Sequence, residues 1–509
     1  MSNLYTRDTA KRGMRQTLMM RPISQVLTGV SLVLIVNLLP EHDYGIYALF
    51  LSVLAFIGMI LSLGISSMVQ RFVPEYAKSG EYTRAKRVAI TAMLLRAGSI
   101  LLLAGGALFF LEPLTRMYDL QGYEHLYLPL LLVVLTHFQC RVLLQVLPGF
   151  MFQGYSLVGQ IALSGGKVLG YLVMMQAGLG LSVVLWVDLA AYLLMLALLG
   201  TSYLRHVRPL QGGPATLGGT ERKRIFRYAA FYNFNDVGVL GLGRDIDNLF
   251  LGAMTDPVAV GAYAFAGKFA DIVLRVNPMQ FFYTVIQPMF FTLDTSTQKE
   301  QINTLFGIMF KSSFLVLVPL WAGTAAGIEP LLRVVFSGKF LEFAWVVVAV
   351  MGITVATGII GRPVGLVAQL RERADIVLYS KIFSFLNFAL NLVLIPLFGL
   401  AGVVVATGVC TLAKDLFVWW FVRDIARPRH LGYFTLVTLG IWGSYIALGR
   451  GLQQLLGSDL LVLLALVLLG LPCALAYLRL ALRTPEERAE IEALTGGNRR
   501  ILKLMGMHR

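Results

Sequence analysis

Apolar residues run along this chain in fourteen stretches of about twenty, separated by short polar joints: 21–40, 45–70, 88–111, 126–148, 155–177, 181–204, 228–253, 258–290, 303–326, 343–366, 375–396, 400–422, 432–450 and 459–482. A helix rises 1.5 Å per residue, so ~20 apolar residues match the ~30 Å hydrocarbon core of a bilayer. The pattern predicts an all-α, polytopic helical membrane protein with about fourteen transmembrane helices. Segment 258–290 is long enough for a tilted or broken helix. Residues 1–20, with Arg7, Lys11, Arg12 and Arg15, are too polar for the apolar core of a signal peptide. The span after them lacks a small-residue cleavage site, which predicts an uncleaved first helix.

Composition agrees with this pattern. Hydrophobic residues make up 57% of the 509, charged residues 14%, and the mean hydropathy is +0.73. A soluble globule of this length needs more charge than that on its surface.

The basic residues orient the spans. With the N-terminus in the cytoplasm and alternation thereafter, inner segments hold 28 of the 43 Lys and Arg residues. Five lie at or before the start of the first span, five in Arg71–Arg87, six in Arg205–Arg227 and six in the tail from Arg483. Outer segments hold four: Arg116, Arg333, Lys339 and Arg450. Both termini are therefore expected in the cytoplasm. The net charge of +15 is mostly this asymmetry, with attraction to anionic lipid headgroups added. A basic soluble face with interleaved aromatics, which nucleic-acid binding would need, is missing.

The loops leave no room for a soluble catalytic domain. The longest, Arg205–Arg227, carries a Gly/Pro/Thr-rich stretch (Gln211–Thr220) between two basic clusters. Cys140, Cys410 and Cys473 fall within apolar spans and read as packing residues rather than disulfide partners. The six His residues, His125 and His137 among them, show no ligand spacing with a carboxylate, so no metal and no cofactor is expected. No Gly-rich phosphate loop ending in Lys-Ser or Lys-Thr is present either.

The chain repeats weakly on itself. An offset of 216 residues lays Gly45-Ile46-Tyr47-Ala48 on Gly261-Ala262-Tyr263-Ala264, and an offset of 219 lays Gly180-Leu181-Ser182 on Gly399-Leu400-Ala401. Both copies begin on the outer side, so the repeat is parallel, an arrangement found in transporters with the substrate site between halves. The expected organisation is a six-helix bundle over 1–204, a basic cytoplasmic linker over 205–227, a second six-helix bundle over 228–422, and two additional helices with a cytoplasmic tail over 423–509.

Asp43-Tyr44-Gly45-x-Tyr47, leading into a span that closes with Arg71-Phe72-Val73-Pro74-Glu75, resembles the N-terminal region of Wzx-type polysaccharide exporters. Asp247-Asn248-Leu249-Phe250-Leu251-Gly252 followed by Val260-Gly261-Ala262-Tyr263-Ala264 resembles that family's seventh and eighth spans. These exporters are lipid-linked oligosaccharide flippases of the multidrug/oligosaccharidyl-lipid/polysaccharide (MOP) exporter superfamily. The resemblance implies a transporter in a bacterial inner membrane that serves exopolysaccharide or O-antigen synthesis. Its implied partners are a lipid-linked glycan, membrane lipids, and a polysaccharide polymerase with its export machinery. The Gly-Phe-x-Arg-Asp signature of the related lipid II flippases is not found near the N-terminus.

Seventeen ionisable Asp, Lys and Arg residues lie inside the spans. The cations are Arg96, Arg141, Lys167, Arg244, Lys268, Arg275, Lys311, Arg362, Lys381, Lys414 and Arg479, and the acids are Asp188, Asp236, Asp245, Asp247, Asp271 and Asp415. Each costs at least ~2.5–3.5 kcal/mol at the centre of a lipid-facing helix, so most must face protein or water. Arg362, Lys381 and Arg479 lie near cytoplasmic ends and can snorkel. On a continuous helix, Asn233, Asp236, Leu240, Arg244 and Asp247 share one face of span 7, and Lys268, Asp271 and Arg275 share one face of span 8. These stripes suit either a cavity or internal ion pairs. For Arg96, Arg141 and Lys167 the alternative to a cavity role is an interhelical pair with Asp188.

Eleven cations against six acids give the spans a positive surplus, which concentrates anions and excludes cations. Arg and Lys also hold phosphate well. The expected ligand is a diphosphate or acidic sugar, held by Arg96, Arg141, Lys167, Lys268 and Arg275. A buried carboxylate can take a proton in one state and release it in the other, and Asp188, Asp236 and Asp271 are the candidates for that coupling role. A multidrug exporter would want the opposite sign of charge. A membrane-embedded glycan polymerase or ligase would want larger outer loops than Glu112–His125 and Gly327–Glu342, which lack an evident catalytic pair. Asp245-x-Asp247 could suggest a metal-dependent glycosyltransferase, but it lies away from the cytosolic nucleotide-sugar pool. A non-enzymatic carrier is the expectation.

Overall fold

A computed structural model of the chain describes residues 4–60, 62–118, 120–177, 180–214, 216–275, 297–371, 373–427 and 431–481, apart from a few side chains within them. Among these residues the regular structure is helical throughout. Eleven helices are long and apolar enough to cross a membrane, and Ile382–Phe398 is apolar but shorter. The eleven correspond to all the expected spans except the third, seventh and eleventh. The protein is a polytopic helical membrane protein.

Contacts divide the chain into two compact units, Met1–Gly261 and Ala262–Arg509. The first holds α1 (Arg7–Leu38), α2 (Glu41–Ile60), α3 (Ile65–Lys78), α4 (Tyr82–Met117), α5 (Tyr127–Gly149), α6 (Gln153–Ala177), α7 (Leu181–Ser202), α8 (Gly219–Val239) and α9 (Arg244–Met254). It thus includes the linker and two further helices besides the expected bundle over 1–204. Helix α10 (Pro257–Arg275) begins at its end. The linker is fastened down: Lys86 Nζ donates to the carbonyls of Arg208 (2.9 Å) and Leu210 (2.5 Å), and Thr83 N–H donates to Gly212.

The second unit holds α11 (Lys299–Val335), α12 (Ala344–Leu370), α13 (Ala374–Tyr379), α14 (Ile382–Phe398), α15 (Leu400–Val422), α16 (Leu431–Leu455) and α17 (Asp459–Ala481). Helices α16 and α17 pack on α11 through Ala322, Ala326, Phe434, Trp442 and Tyr445. Outward faces are apolar, with Leu102, Phe385, Leu436 and Leu468 at least 70% exposed. So much exposed hydrocarbon belongs against lipid.

Three spans depart from the continuous helices expected. Span 45–70 breaks at Leu63 and Gly64, where φ is 49° and 62°. Here α8 crosses so close that a Cβ on Gly64 would fall 1.9 Å from the Ala229 carbonyl oxygen, a position only glycine fills without strain. Span 228–253 breaks after Val239: a 3-10 turn, Leu240–Leu242, is followed by extended Gly243 (ψ 138°), and α9 starts afresh. The single-face stripe from Asn233 to Asp247 therefore does not form, because its angles assumed one unbroken helix. Span 375–396 is pinched at Ser380 and Lys381, where bonds tighten to three-residue spacing. The outer segments are also shorter than expected, since α4 runs to Met117 and α11 to Val335. At 36 and 37 residues these two helices are each about 55 Å long and overrun the hydrocarbon core.

Candidate functional site

A charged part of the interior lies in the first unit, where α6 and α7 form a close pair. Gly166 and Gly170 stand one turn apart on α6. A Cβ on Gly166 would meet Ala191 Cβ at 3.3 Å, and one on Gly170 would fall 2.3 Å from Val187 Cγ1. Small residues at this spacing let two membrane helices approach backbone to backbone. The seam brings Lys167 against Asp188, with Nζ 2.8 Å from Oδ2.

Asp188 is fully buried, and two phenols complete its shell. Tyr171 OH donates to Oδ1 at 2.5 Å and Tyr47 OH, from α2, donates to Oδ2 at 2.7 Å. Tyr171 follows Lys167 by one turn of α6, and Tyr192 follows Asp188 by one turn of α7. The Lys167 ammonium lies 5.2 Å from the centroid of the Tyr192 ring, whose hydroxyl bonds His137 Nδ1 at 2.9 Å.

From His137 the polar surface continues along α5. Arg141, one turn on, is exposed. Arg96, on α4, is buried and lies 4.9 Å over the Phe138 ring. Helices α4, α5 and α6 thus bring Arg96, Arg141 and Lys167 into one neighbourhood, in which Asp188 pairs with Lys167. The interhelical alternative holds for Lys167 and the cation surplus holds for the group. The sequence shows Tyr47 as part of a motif and His137 as no metal ligand, and marks none of Tyr47, Tyr171, Tyr192 and His137 as a site residue, although Tyr171 and Tyr192 are legible as one-turn neighbours of the charged pair.

The other expected site residues are not assembled there. Lys268 is exposed and Asp271 half-buried on α10 in the second unit. The side chains of Arg275 and Asp236 lie outside the described residues. Asp247 is fully buried in α9, and beside it Asn248 Nδ2 donates to Ser52 Oγ at 2.8 Å.

In the second unit, α14 and α15 form another helical hairpin, tied by Thr407 Oγ1 donating to Asn387 Oδ1 at 3.4 Å, both buried. Asp415 is buried on α15 with Lys414 Nζ 3.3 Å from its Oδ1, and its carboxylate fills the space left by the missing side chain of Gly361. Among the described residues no group of three or more His, Cys, Asp or Glu is placed to hold a metal ion.

Comparison with known proteins matches residues 11–294 to a family described as polysaccharide biosynthesis protein. The chain is similar to the probable low-salt glycan biosynthesis flippase Agl15 of Haloferax volcanii, at 23% identity over 441 residues, covering 83% of this chain and 86% of that one. Its fold resembles that of the lipid II flippase MurJ in an inward closed conformation, with TM-score 0.62, 14% identity, and 90% and 97% of the two chains covered. It also resembles an inward-facing multidrug resistance MATE family transporter of the MOP superfamily, with TM-score 0.64, 14% identity, and 79% and 94% covered.

Proposed function

We propose that this chain, which belongs to the polysaccharide biosynthesis protein family, is a flippase. It turns the headgroup of a polyprenyl-diphosphate-linked oligosaccharide from the cytoplasmic to the outer leaflet by alternating access, for the synthesis of a cell-surface polysaccharide. The observation that carries this reading is the cation-rich polar cluster of the first unit, where buried Arg96, half-buried Lys167 and exposed Arg141 gather near Asp188. A hydrated diphosphate glycan cannot enter hydrocarbon cheaply, and a cation-rich polar path lowers that barrier. A carrier for cationic drugs would lose by the same arrangement. The likeness to a glycan flippase over most of both chains supports the same reading.

No bond is made or broken in this process, and neither cofactor nor metal enters it. We place the protein in the inner membrane with both termini in the cytoplasm, handing its product to a polymerase and export machinery. Lys268 and Arg275 would also bind the anionic headgroup, with Asp188, Asp236 or Asp271 coupling transport to a proton. The test is reconstitution: purified protein in liposomes carrying a fluorescent polyprenyl-diphosphate oligosaccharide should expose the inner-leaflet glycan to an impermeant glycosidase. A rate equal to that of protein-free liposomes overturns the proposal.

A further inference from the structure

A cationic concavity lies in the first unit, apart from the buried cluster, where α3 meets the first turns of α8. It encloses about 480 Å³ and is lined by Arg71, Phe72, Arg224, Arg227, Tyr228 and Phe231. Arg224 grips Glu75 through two hydrogen bonds, Nη1 to Oε1 at 2.9 Å and Nη2 to Oε2 at 3.2 Å, and stacks 5.2 Å over the Phe72 ring. Phe72 in turn meets Tyr228 edge to face at 5.4 Å. Arg71 reaches the same carboxylate at 3.6 Å. Arg227 is exposed and forms no ion pair among the described residues.

Two guanidiniums therefore share the Glu75 carboxylate, and a third, that of Arg227, lines the same pocket beside the rings of Phe72, Tyr228 and Phe231. Arg224, Arg227, Tyr228 and Phe231 recur at spacings of three and four, so one face of α8 passes from charge to ring as the helix advances. Phe231, at that end, is 70% exposed, and Phe226 nearby is 48% exposed. Such a face complements an amphiphile with an anionic head and an apolar tail. The forked guanidiniums suit a diphosphate, whose adjacent phosphates offer several anionic oxygens, better than the single phosphate of a bulk phospholipid. The surrounding segments, Arg71–Arg87 and Arg205–Arg227, are those that the basic-residue asymmetry assigns to the cytoplasmic side.

We propose that this pocket docks the diphosphate of an isoprenoid-diphosphate lipid at the membrane surface before the attached glycan enters the carrier. The inference rests on the flippase reading for its ligand class, but the two fail separately. Full-length protein in phosphatidylcholine nanodiscs is titrated with radiolabelled geranylgeranyl diphosphate. Arg227→Gln, chosen because Arg227 holds no ion pair, should weaken binding about tenfold or more, as expected for the loss of a charged hydrogen bond. Arg71→Gln should do the same. Phe231→Ala should weaken binding of the lipid while leaving that of inorganic pyrophosphate unchanged.

Binding by both Arg variants within about twofold of the parent overturns the site, provided that their thermal midpoints match the parent's. Pyrophosphate that binds as tightly as the lipid, with no effect of Phe231→Ala, overturns a lipid ligand in favour of a soluble diphosphate. Competition by phosphatidylglycerol at equal concentration overturns diphosphate selectivity. If the probe binds and the Arg variants lose it, yet no glycolipid is moved in liposomes, the docking site stands and the flippase reading falls. If transport persists at unchanged half-saturation in Arg227→Gln, the reverse holds.

Discussion

Asp188→Asn is the sharpest perturbation of the buried cluster. The carboxylate is fully buried and takes three donors: Lys167 Nζ at 2.8 Å, Tyr171 OH at 2.5 Å and Tyr47 OH at 2.7 Å. The amide keeps one acceptor oxygen, removes the negative charge and turns an NH2 toward former donors. Removing one partner of a buried ion pair costs about 3–5 kcal/mol, because the other charge is stranded. With about 2–4 °C per kcal/mol for a unit of this size, the thermal midpoint in detergent should fall by roughly 6–20 °C. Lys167→Met should cost less, since it severs one contact and leaves both phenols on the carboxylate. The double variant should recover part of the loss, so that the singles sum to more than the pair. A shift under about 1 °C for Asp188→Asn, or strict additivity in the double variant, would refute the claim that this pair holds α6, α7 and α2 together.

Arg96→Gln and Arg141→Gln should each slow glycolipid movement in liposomes at unchanged protein abundance in the membrane, and loss of the protein itself would make them structural. Gly170→Leu should lower that abundance, because the new side chain meets Val187 at the helix seam and overpacking costs about 1–3 kcal/mol; normal yield and midpoint would show that the seam can open. Gly64→Ala combines positive φ with a clash on the Ala229 carbonyl and should destabilise by more than about 1 kcal/mol in thermal unfolding, an unchanged midpoint counting against the break at Gly64. In liposomes with an imposed proton gradient, Asp271→Asn should transport at the gradient-free rate, and full stimulation in that variant removes Asp271 from coupling.

Hydrophobic run length made eleven of the spans legible, because the apolar stretch that buries a helix in lipid is also what the sequence displays. The breaks at Gly64 and Gly243 were hidden for the same reason: an apolar run reads alike whether straight or kinked, and their cause is another helix crossing or a turn closing. Glycines at those positions were the available signal. In the cluster, Lys167 and Asp188 stood out as charges in the wrong solvent, and their pairing was legible as an alternative. Tyr47 was not, since its partner lies 141 residues away and only packing of α2 against the α6–α7 pair supplies the contact. Single-face reasoning failed on span 7, where the helix it presupposed ends at Val239.

The same 219-residue offset that lays Gly180 on Gly399 carries Asp188 onto Thr407. Each of the two hairpins, α6–α7 and α14–α15, thus carries a polar tie across its seam, with different chemistry. The first hairpin is joined by an ammonium and a carboxylate, the second by a hydroxyl and an amide. A tie between charges weakens when either group loses its charge, whereas a hydroxyl–amide tie does not depend on charge, so the two seams differ in what can loosen them.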